Sequence, residues 1–597
     1  MLLKNKFSYL LVGTAIFVGF LYIAPQILLW KNLSELGKPY VAVQMGTRAD
    51  EASGGMAMYR EIYEGHLMPD DLFLDIKSPT PFLGFEFPSL IMATFLYIFG
   101  GNINQAYLAS HFVILPILFL LFFFLGKTLI KDNLWSFFLA LIGVFTPLFR
   151  GIPDMFRDLA NFLNIAVKNF YPLVQSPQDR LFLDKTPDQM LTYLIYVPAI
   201  AFLVIFWRKP TMKNGAILGA LIGLMAYAYF HYWVYLVIAA GLIFLFSAVF
   251  FKKDFPRFKA AAVLIGVLFL VTLPYLINIL AFNELPHSDE VVQRIGITTG
   301  RYFHFLNPFP IVFDYIFYLM TAALVYFVFY KSEKNIAILY WLLIGGMFVV
   351  WNVQLVVGYV PQPDHWGRAL GPILFVILFH GLYKLLERID YKKTIAIILI
   401  GLSIFLVTKK IVNAVIFANP PQEFLDAYTF NPNIVSSWDW INENLEKEPK
   451  VISPSFVTSI YLMAQTGTRP YLATGFNSAA SNQILEERFL KTYKVFQVSE
   501  ATLAKIAARC KDCEVSDFHE WINLAKPMKH LRIPEERKDK LLENYNNLAD
   551  LHWRELEADY VYYGPWERQL SKIDLRNDQD LISIYNNLEV EIYKIKR

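Results

Sequence analysis

The order of apolar and polar positions divides the chain into two unlike parts. Before about residue 417 the sequence runs through long apolar stretches joined by short polar ones; beyond it the apolar runs shrink to strand length or recur at helical spacing. A spanning helix needs about 20 mostly apolar residues. By that measure the chain predicts about eleven membrane helices, near 7–30, 106–130, 134–149, 189–207, 214–230, 232–251, 258–282, 308–330, 335–353, 369–386 and 393–415. The run Leu90–Phe99 is apolar but too short to cross, and reads as a helix lying in the membrane interface. The fold class expected is a polytopic α-helical membrane domain over 1–417 followed by a soluble α/β domain over 418–597.

Charge placement orients these spans, because cytoplasmic loops carry an excess of Lys and Arg. With the N-terminus inside, the short inner loops hold Lys127 and Lys131; Arg208, Lys209 and Lys213; Lys252, Lys253, Arg257 and Lys259; Lys331 and Lys334; and Lys384, Arg388, Lys392 and Lys393. A spanning Leu90–Phe99 would reverse the parity and put these basic loops outside. The longer segments 31–105, 150–188, 283–307 and 354–368 then share the outer face with the soluble domain. Lys4 and Lys6 precede an apolar run, Phe7 to Trp30, that exceeds a signal-peptide core and lacks a small-residue cleavage site, so it is expected to remain as the first helix.

Composition agrees: 56% of residues are hydrophobic and only 18% charged, against about a quarter charged in soluble domains. A net charge of +3 with no basic-aromatic stripe gives no reason to expect nucleic acid as a partner. The two cysteines, Cys510 and Cys513, are too few for a zinc site, and an extracytoplasmic setting would permit a short-loop disulfide. In the soluble part, Ile434, Trp438, Ile441 and Leu445 share a helical face. Phe456–Gln465 reads as helix and 483–549 as helix-rich. Val451-Ile-Ser, Ala558–Tyr563, Leu581–Tyr585 and Val590–Tyr593 read as strands, the last two as a hairpin around Asn586-Asn587. There is no P-loop, Rossmann fingerprint, HExxH or nucleophile elbow.

The first outer loop carries the chemistry. Asp50 and Glu51 stand just before a helical stretch, Ser53–Glu64, where a helix N-terminus favours carboxylates whether or not they catalyse. Two further carboxylates, Asp154 and Asp158, follow Pro153 in the second outer loop, with Arg157 between them. The outer face also offers Arg180, Arg301, His365 and Arg368; the Pro361-Gln-Pro-Asp-His-Trp-Gly-Arg368 run brings Arg368 into a predicted helix from outside. An arginine fork matches phosphate geometry, and the competing reading is snorkelling to lipid headgroups. His231, in Tyr-Phe-His-Tyr-Trp at a tight turn, reads as an aromatic-belt residue.

Asp50-Glu51, followed by Tyr59, Ile62 and Gly65 in the first outer loop after one N-terminal helix, resembles the GT-C superfamily of membrane glycosyltransferases. Its members include protein O-mannosyltransferases, lipid A aminoarabinose transferases and oligosaccharyltransferases, which use polyprenyl-phosphate sugars. The resemblance implies a GT-C fold and transfer at the outer face with inversion. It implies Asp50 as the base that takes the acceptor hydroxyl's proton, with Glu51 in support, and a second acidic loop at Asp154 or Asp158. Arg368, His365, Arg180 and Arg301 would meet the donor phosphate. Carboxylates suit Mg²⁺ or Mn²⁺; the oligosaccharyltransferase branch uses a divalent metal, for which Asp50, Asp154 and Asp158 would be the ligands, and other branches use none. The implied partners are a polyprenyl-phosphate sugar and a glycan, lipid or protein acceptor. The oligosaccharyltransferase Trp-Trp-Asp-Tyr-Gly motif is absent; Trp438-Asp439-Trp440 falls earlier, on the amphipathic helix. That departure argues against transfer of a whole oligosaccharide to Asn. A transporter or flippase of lipid-linked glycans and a non-catalytic assembly or sensor protein are the competing classes. Transport calls for charged pathways within the spans, and such charges look scarce, with Asp314 close to an end.

Overall fold

A computed structural model describes residues 2–42, 55–67, 71, 81, 86–146, 149, 152, 189–251, 255–294, 297–303, 311–360, 362, 365–388, 392–422, 425, 429–472, 478–507 and 535–597. Cys510 and Cys513 lie outside these residues.

Among the described residues, apolar helices form at each place where the periodicity predicts a span. They are Leu2–Glu35, Ile103–Ile130, Asn133–Phe145, Tyr193–Arg208, Met212–Met225, Phe230–Phe250, Phe255–Asn283, Ile311–Phe329, Lys334–Val350, Trp366–Glu387 and Lys392–Ala418. Seven of them are long and apolar enough to cross a membrane, and the chain is a multi-pass membrane protein. The other four, Asn133–Phe145, Tyr193–Arg208, Met212–Met225 and Lys334–Val350, are shorter apolar helices. Local chemistry trims them. The Asp132 side chain accepts from Trp135 N–H and fixes the start of one helix at Asn133, while extended Thr146 ends it at Phe145, before Pro147. Thr211 caps Met212–Met225, and the chain turns over 226–228 before helix resumes at Phe230. The Leu90–Phe99 run lies in a 13-residue helix, Glu86–Ile98.

The chain divides into two compact units. The first comprises Met1–Asn32, Tyr107–Leu276 and Thr299–Pro421. Its closest packing is between Met212–Met225 and Phe255–Asn283, along Gly215, Gly219 and Gly223. A Cβ on Gly219 would sit 2.4 Å from the Leu264 carbonyl oxygen, and one on Gly215 2.4 Å from that of Ala260. Small residues four apart let backbones approach where lipid supplies no hydrophobic drive between helices. This unit also buries more charge within its helices than the sequence leads one to expect. Lys410 is 2% exposed, with Nζ 4.1 Å from the centre of the Tyr22 ring. His380 is fully buried, its Nδ1 2.6 Å from the Tyr340 hydroxyl. An aromatic face and a phenol shelter these groups, and hydropathy averaged along an apolar run does not register them.

The second unit comprises Leu33–Ala106, Ile277–Thr298 and Gln422–Arg597. Its centre is a five-stranded mixed sheet of β1 (Lys450–Ile452), β2 (Arg469–Pro470), β3 (Tyr560–Tyr563), β4 (Leu581–Asn586) and β5 (Glu591–Ile595). The spatial order is β2-β1-β3-β5-β4. β1 runs parallel to β2 and β3, with Val451 opposite Tyr560, and β5 is antiparallel to both β3 and β4. The predicted terminal hairpin is the β4–β5 pair. The amphipathic helix forms as Pro432–Asn444, burying Ile434, Trp438 and Ile441. The Trp438 ring lies parallel to that of Tyr461, 6.0 Å away, on the Ser455-capped Phe456–Thr466 helix. Glu567, wholly buried, accepts from Ser453 Oγ at 2.6 Å, from Gly564 N–H at 2.8 Å and from the Thr458 hydroxyl. Burial pushes its carboxyl above the ordinary range against the pull of those donors.

Segments that join the apolar helices are built into this second unit. Buried Asp71 accepts from Ser478 Oγ (2.6 Å) and Ala479 N–H (2.7 Å). Arg294, fully buried, donates to Asn482 Oδ1 (2.7 Å) and to the carbonyls of Ser478 and Ala480 (2.9 and 2.5 Å). Burial lowers its pKa to about 10, with Glu290 and Asp71 opposing. Residues far apart in sequence thus hold one strand-to-helix connection.

Candidate functional site

Asp50, Glu51, Asp154, Asp158 and Arg180 lie outside the described residues. The helix that follows the first acidic pair is described, and its surroundings show how that loop is held. It runs Ala57–Glu64, with Ala57 through Ile62 buried, and it ends where Gly65 takes φ 119°. The left-handed turn lets the Gly65 N–H reach the Glu61 and Ile62 carbonyls, a conformation that costs glycine nothing. The Tyr97 hydroxyl, from the Glu86–Ile98 helix, donates to the Ile62 carbonyl at 2.9 Å. Arg60 pairs with Glu64 at 2.8 Å and donates to the Gly101 carbonyl and to Asn442 Oδ1, each at 3.3 Å.

The helix is also clamped electrostatically. Glu61, 2% exposed, pairs with Arg469 at 2.7 Å; Arg469 reaches Glu448 at 3.0 Å, and Glu448 reaches His66 Nε2 at 2.6 Å. Ligand atoms of Glu61, His66 and Glu448 lie within 4.8 Å of one another, close enough to share a cation. The Arg469 guanidinium, bonded to both carboxylates, already supplies that positive charge. The group therefore fits an ion-pair clamp better than a metal centre, and no chemical step is assigned to a metal here.

A second cluster belongs to the first unit. Arg368 lies in the first turn of Trp366–Glu387, with His365 at its N-cap. Arg368 Nη1 donates to the Tyr229 hydroxyl at 3.0 Å, and that hydroxyl lies 3.1 Å from His365 Nδ1. His231 is 5% exposed, its ring centre 5.2 Å from that of His365 and 4.7 Å from that of Trp366. Burial removes His231 from the lipid-facing belt in which the sequence placed it. A cation in a first helical turn opposes the helix dipole, whereas an anion there is favoured. A guanidinium, an imidazole and a phenol at a helix start together suit a phosphate.

The structure thus joins Arg368 to His365. Arg301 takes a different post: its Nη1 donates to the Leu355 and Val356 carbonyls at 2.7 and 2.8 Å, at the end of the short Gln354–Val357 helix. Sequence reasoning missed Tyr229. The available signal was its place beside His231 at a turn between apolar helices, but its partners lie 136 and 139 residues away.

No protein-family model matches the sequence, and no curated protein does. Among solved structures, the Archaeoglobus fulgidus oligosaccharyltransferase in the apo form is 11% identical, with a TM-score of 0.45 over 93% of this chain and 70% of that one. ArnT from Cupriavidus metallidurans bound to undecaprenyl phosphate is 11% identical, with a TM-score of 0.38 over 99% of this chain and 98% of that one. The mycobacterial arabinofuranosyltransferase AftD is 12% identical, with a TM-score of 0.41 over 99% of this chain and 40% of that one. All three are glycosyltransferases of the GT-C type, the superfamily that the first-loop motif resembles. With TM-scores below 0.5 these likenesses assign no site.

Proposed function

We propose that this chain is an inverting membrane glycosyltransferase that takes a sugar from a polyprenyl-phosphate donor and passes it to a hydroxyl on a glycan, lipid or protein. The observation that carries this reading is the Arg368–Tyr229–His365 cluster at the start of Trp366–Glu387. The donor phosphate sits against Arg368 and His365, where positive charge and directed N–H groups stabilise the leaving phosphate as the anomeric bond breaks. Asp50, ahead of the clamped Ala57–Glu64 helix, takes the proton of the acceptor hydroxyl as its oxygen attacks the anomeric carbon, and Glu51 supports it. Attack opposite the departing phosphate inverts the sugar configuration. The extracytoplasmic C-terminal domain helps to bind the acceptor, and Asp154 or Asp158 supplies the second acidic-loop carboxylate. A divalent ion, if one takes part, belongs with Asp50, Asp154 and Asp158.

The test is sugar transfer in membranes with a panel of polyprenyl-phosphate sugars, comparing wild type with Asp50→Asn at matched expression. Loss of a general base lowers the rate about 10²–10⁴-fold. That drop, with one donor active in wild type, supports the reading. Equal transfer by the variant removes Asp50 from the chemistry, and no transfer with any donor and adequate acceptors overturns the enzyme reading.

A further inference from the structure

The second unit holds a cavity of ≈ 380 Å³ lined by Tyr563, Arg568, Lys572, Asp574, Arg576 and Glu591 among others. It opens at the carboxyl end of β3, between the strands where direction changes: β3 is parallel to β1 and antiparallel to β5.

One buried carboxylate organises its charges. Glu591, with a side chain 6% exposed, accepts from Arg576 Nη2 at 2.7 Å and Nε at 3.3 Å, and from the Tyr593 hydroxyl at 2.5 Å. Arg568 Nη2 lies 3.6 Å from the same carboxylate. The Arg568 guanidinium also covers the Tyr563 ring, 4.9 Å from its centre. Glu591 thus keeps two guanidiniums side by side that would otherwise repel each other. Asp574 is engaged in its own turn, accepting from Arg576 N–H at 3.1 Å and Asn577 Nδ2 at 3.3 Å. Lys572 is exposed and has no hydrogen bond or ion pair among the described residues. The lining is therefore three cations against two carboxylates, with cationic groups at the open rim.

We propose that this cavity is a subsite for a monosaccharide unit bearing an oxyanion, either a carboxylate or a phosphate ester. Arg576 and Lys572 meet the oxyanion, and the carboxylate of Asp574 meets ring hydroxyls, while Arg568 is held by the Glu589 carbonyl and Glu591 and shapes the wall. Both donors and acceptors are needed for a polyhydroxylated ligand. A cavity of this volume has room for one sugar ring with its charged substituent. A base needs an aromatic face to stack on, and Arg568 already covers the face of Tyr563. Binding here needs no transfer, so the inference stands or falls separately from the donor chemistry.

The test is saturation-transfer NMR on the full chain in detergent, with glucuronate, glucose 6-phosphate and glucose as probes. The variant is Lys572→Ala/Arg576→Ala, whose native side chains sit at the open rim, with thermal unfolding as the check on folding. The expected result is saturable binding of glucuronate, glucose 6-phosphate or both, no saturable binding of glucose, and at least tenfold weaker binding in the double variant. Binding of one charged probe alone identifies the oxyanion the site takes. Absence of binding by both, equal binding of glucose, or an unchanged affinity in a folded double variant overturns the proposal.

Discussion

Two arginines, Arg469 in the second unit and Arg368 in the first, meet different company. Arg469 is bonded to two carboxylates, Glu61 and Glu448, one of them almost wholly buried. Arg368 donates to a phenol beside an imidazole, at a helix end whose dipole favours an anion. The first arrangement is an ion-pair clamp, and the second sets a guanidinium, a phenol and an imidazole side by side. Residue type alone does not distinguish these arginines; their surroundings do.

The largest expected effect lies in the first unit, where backbone contact leaves no room. Gly219→Leu forces a side chain against the Leu264 carbonyl, and the folded protein should be lost. Gly241→Leu, at a position with nothing within 4 Å of its Cβ, should leave a normal elution profile. Fluorescence-detected size-exclusion chromatography separates the two outcomes.

Next comes the clamp itself. Arg469→Gln leaves Glu61 buried without its cation and should cost roughly 3–5 kcal/mol in the second unit, measured by thermal unfolding. Adding Glu61→Gln should recover much of that loss, because the uncompensated charge goes with it. Recovery absent in the double variant would mean that Arg469 stabilises by packing and not by charge.

Much of this architecture was legible in the sequence. Every apolar run predicted to span forms a helix, the Leu90–Phe99 run lies in a helix too short to count as a span, and the amphipathic helix with Trp438 and the β4–β5 hairpin stand where periodicity put them. These features depend on neighbours in sequence. What was not legible depends on distant ones. The contact of Tyr229 with Arg368 closes over 139 residues, and the Glu61–Arg469 pair over 408. Lys410 disappears into the mean hydropathy of its helix because its shelter, Tyr22, lies on another. Two helices were overread at their C-terminal ends, where extended Thr146 stops one at Phe145 and the turn over 226–228 stops another at Met225, because composition locates an apolar run more reliably than the backbone turns that end it. The roles of Asp50, Glu51, Asp154, Asp158 and Arg180 remain those the resemblance implies.

Smaller effects sharpen the comparison within the second unit. Ser455→Ala removes the side-chain oxygen that accepts the Thr458 N–H at the start of Phe456–Thr466, and should cost about 1 kcal/mol by thermal unfolding. The smallest is a pH dependence. Burial opposes ionisation of Glu591, but Tyr593, Arg576 and Arg568 together outweigh it and hold the carboxyl below its ordinary value. A depressed carboxylate adds stability that is present above the unfolded-state value, about 4.3, and is lost as pH falls through the lower folded-state value. Unfolding measured from pH 6 downward should therefore show a loss of stability that Glu591→Gln diminishes. An identical pH profile in the variant would assign that loss to other carboxylates.

The most direct measurement is the KM for the polyprenyl-phosphate sugar in Arg368→Gln and Arg469→Gln, alongside the melting temperature of each. With Arg368 on the donor phosphate and Arg469 in the clamp, Arg368→Gln should raise KM at least tenfold with little change in melting. Arg469→Gln should lower the melting temperature and leave the KM of the folded fraction near that of wild type. An unchanged KM in Arg368→Gln, or a raised KM in Arg469→Gln with normal melting, would contradict the assignment.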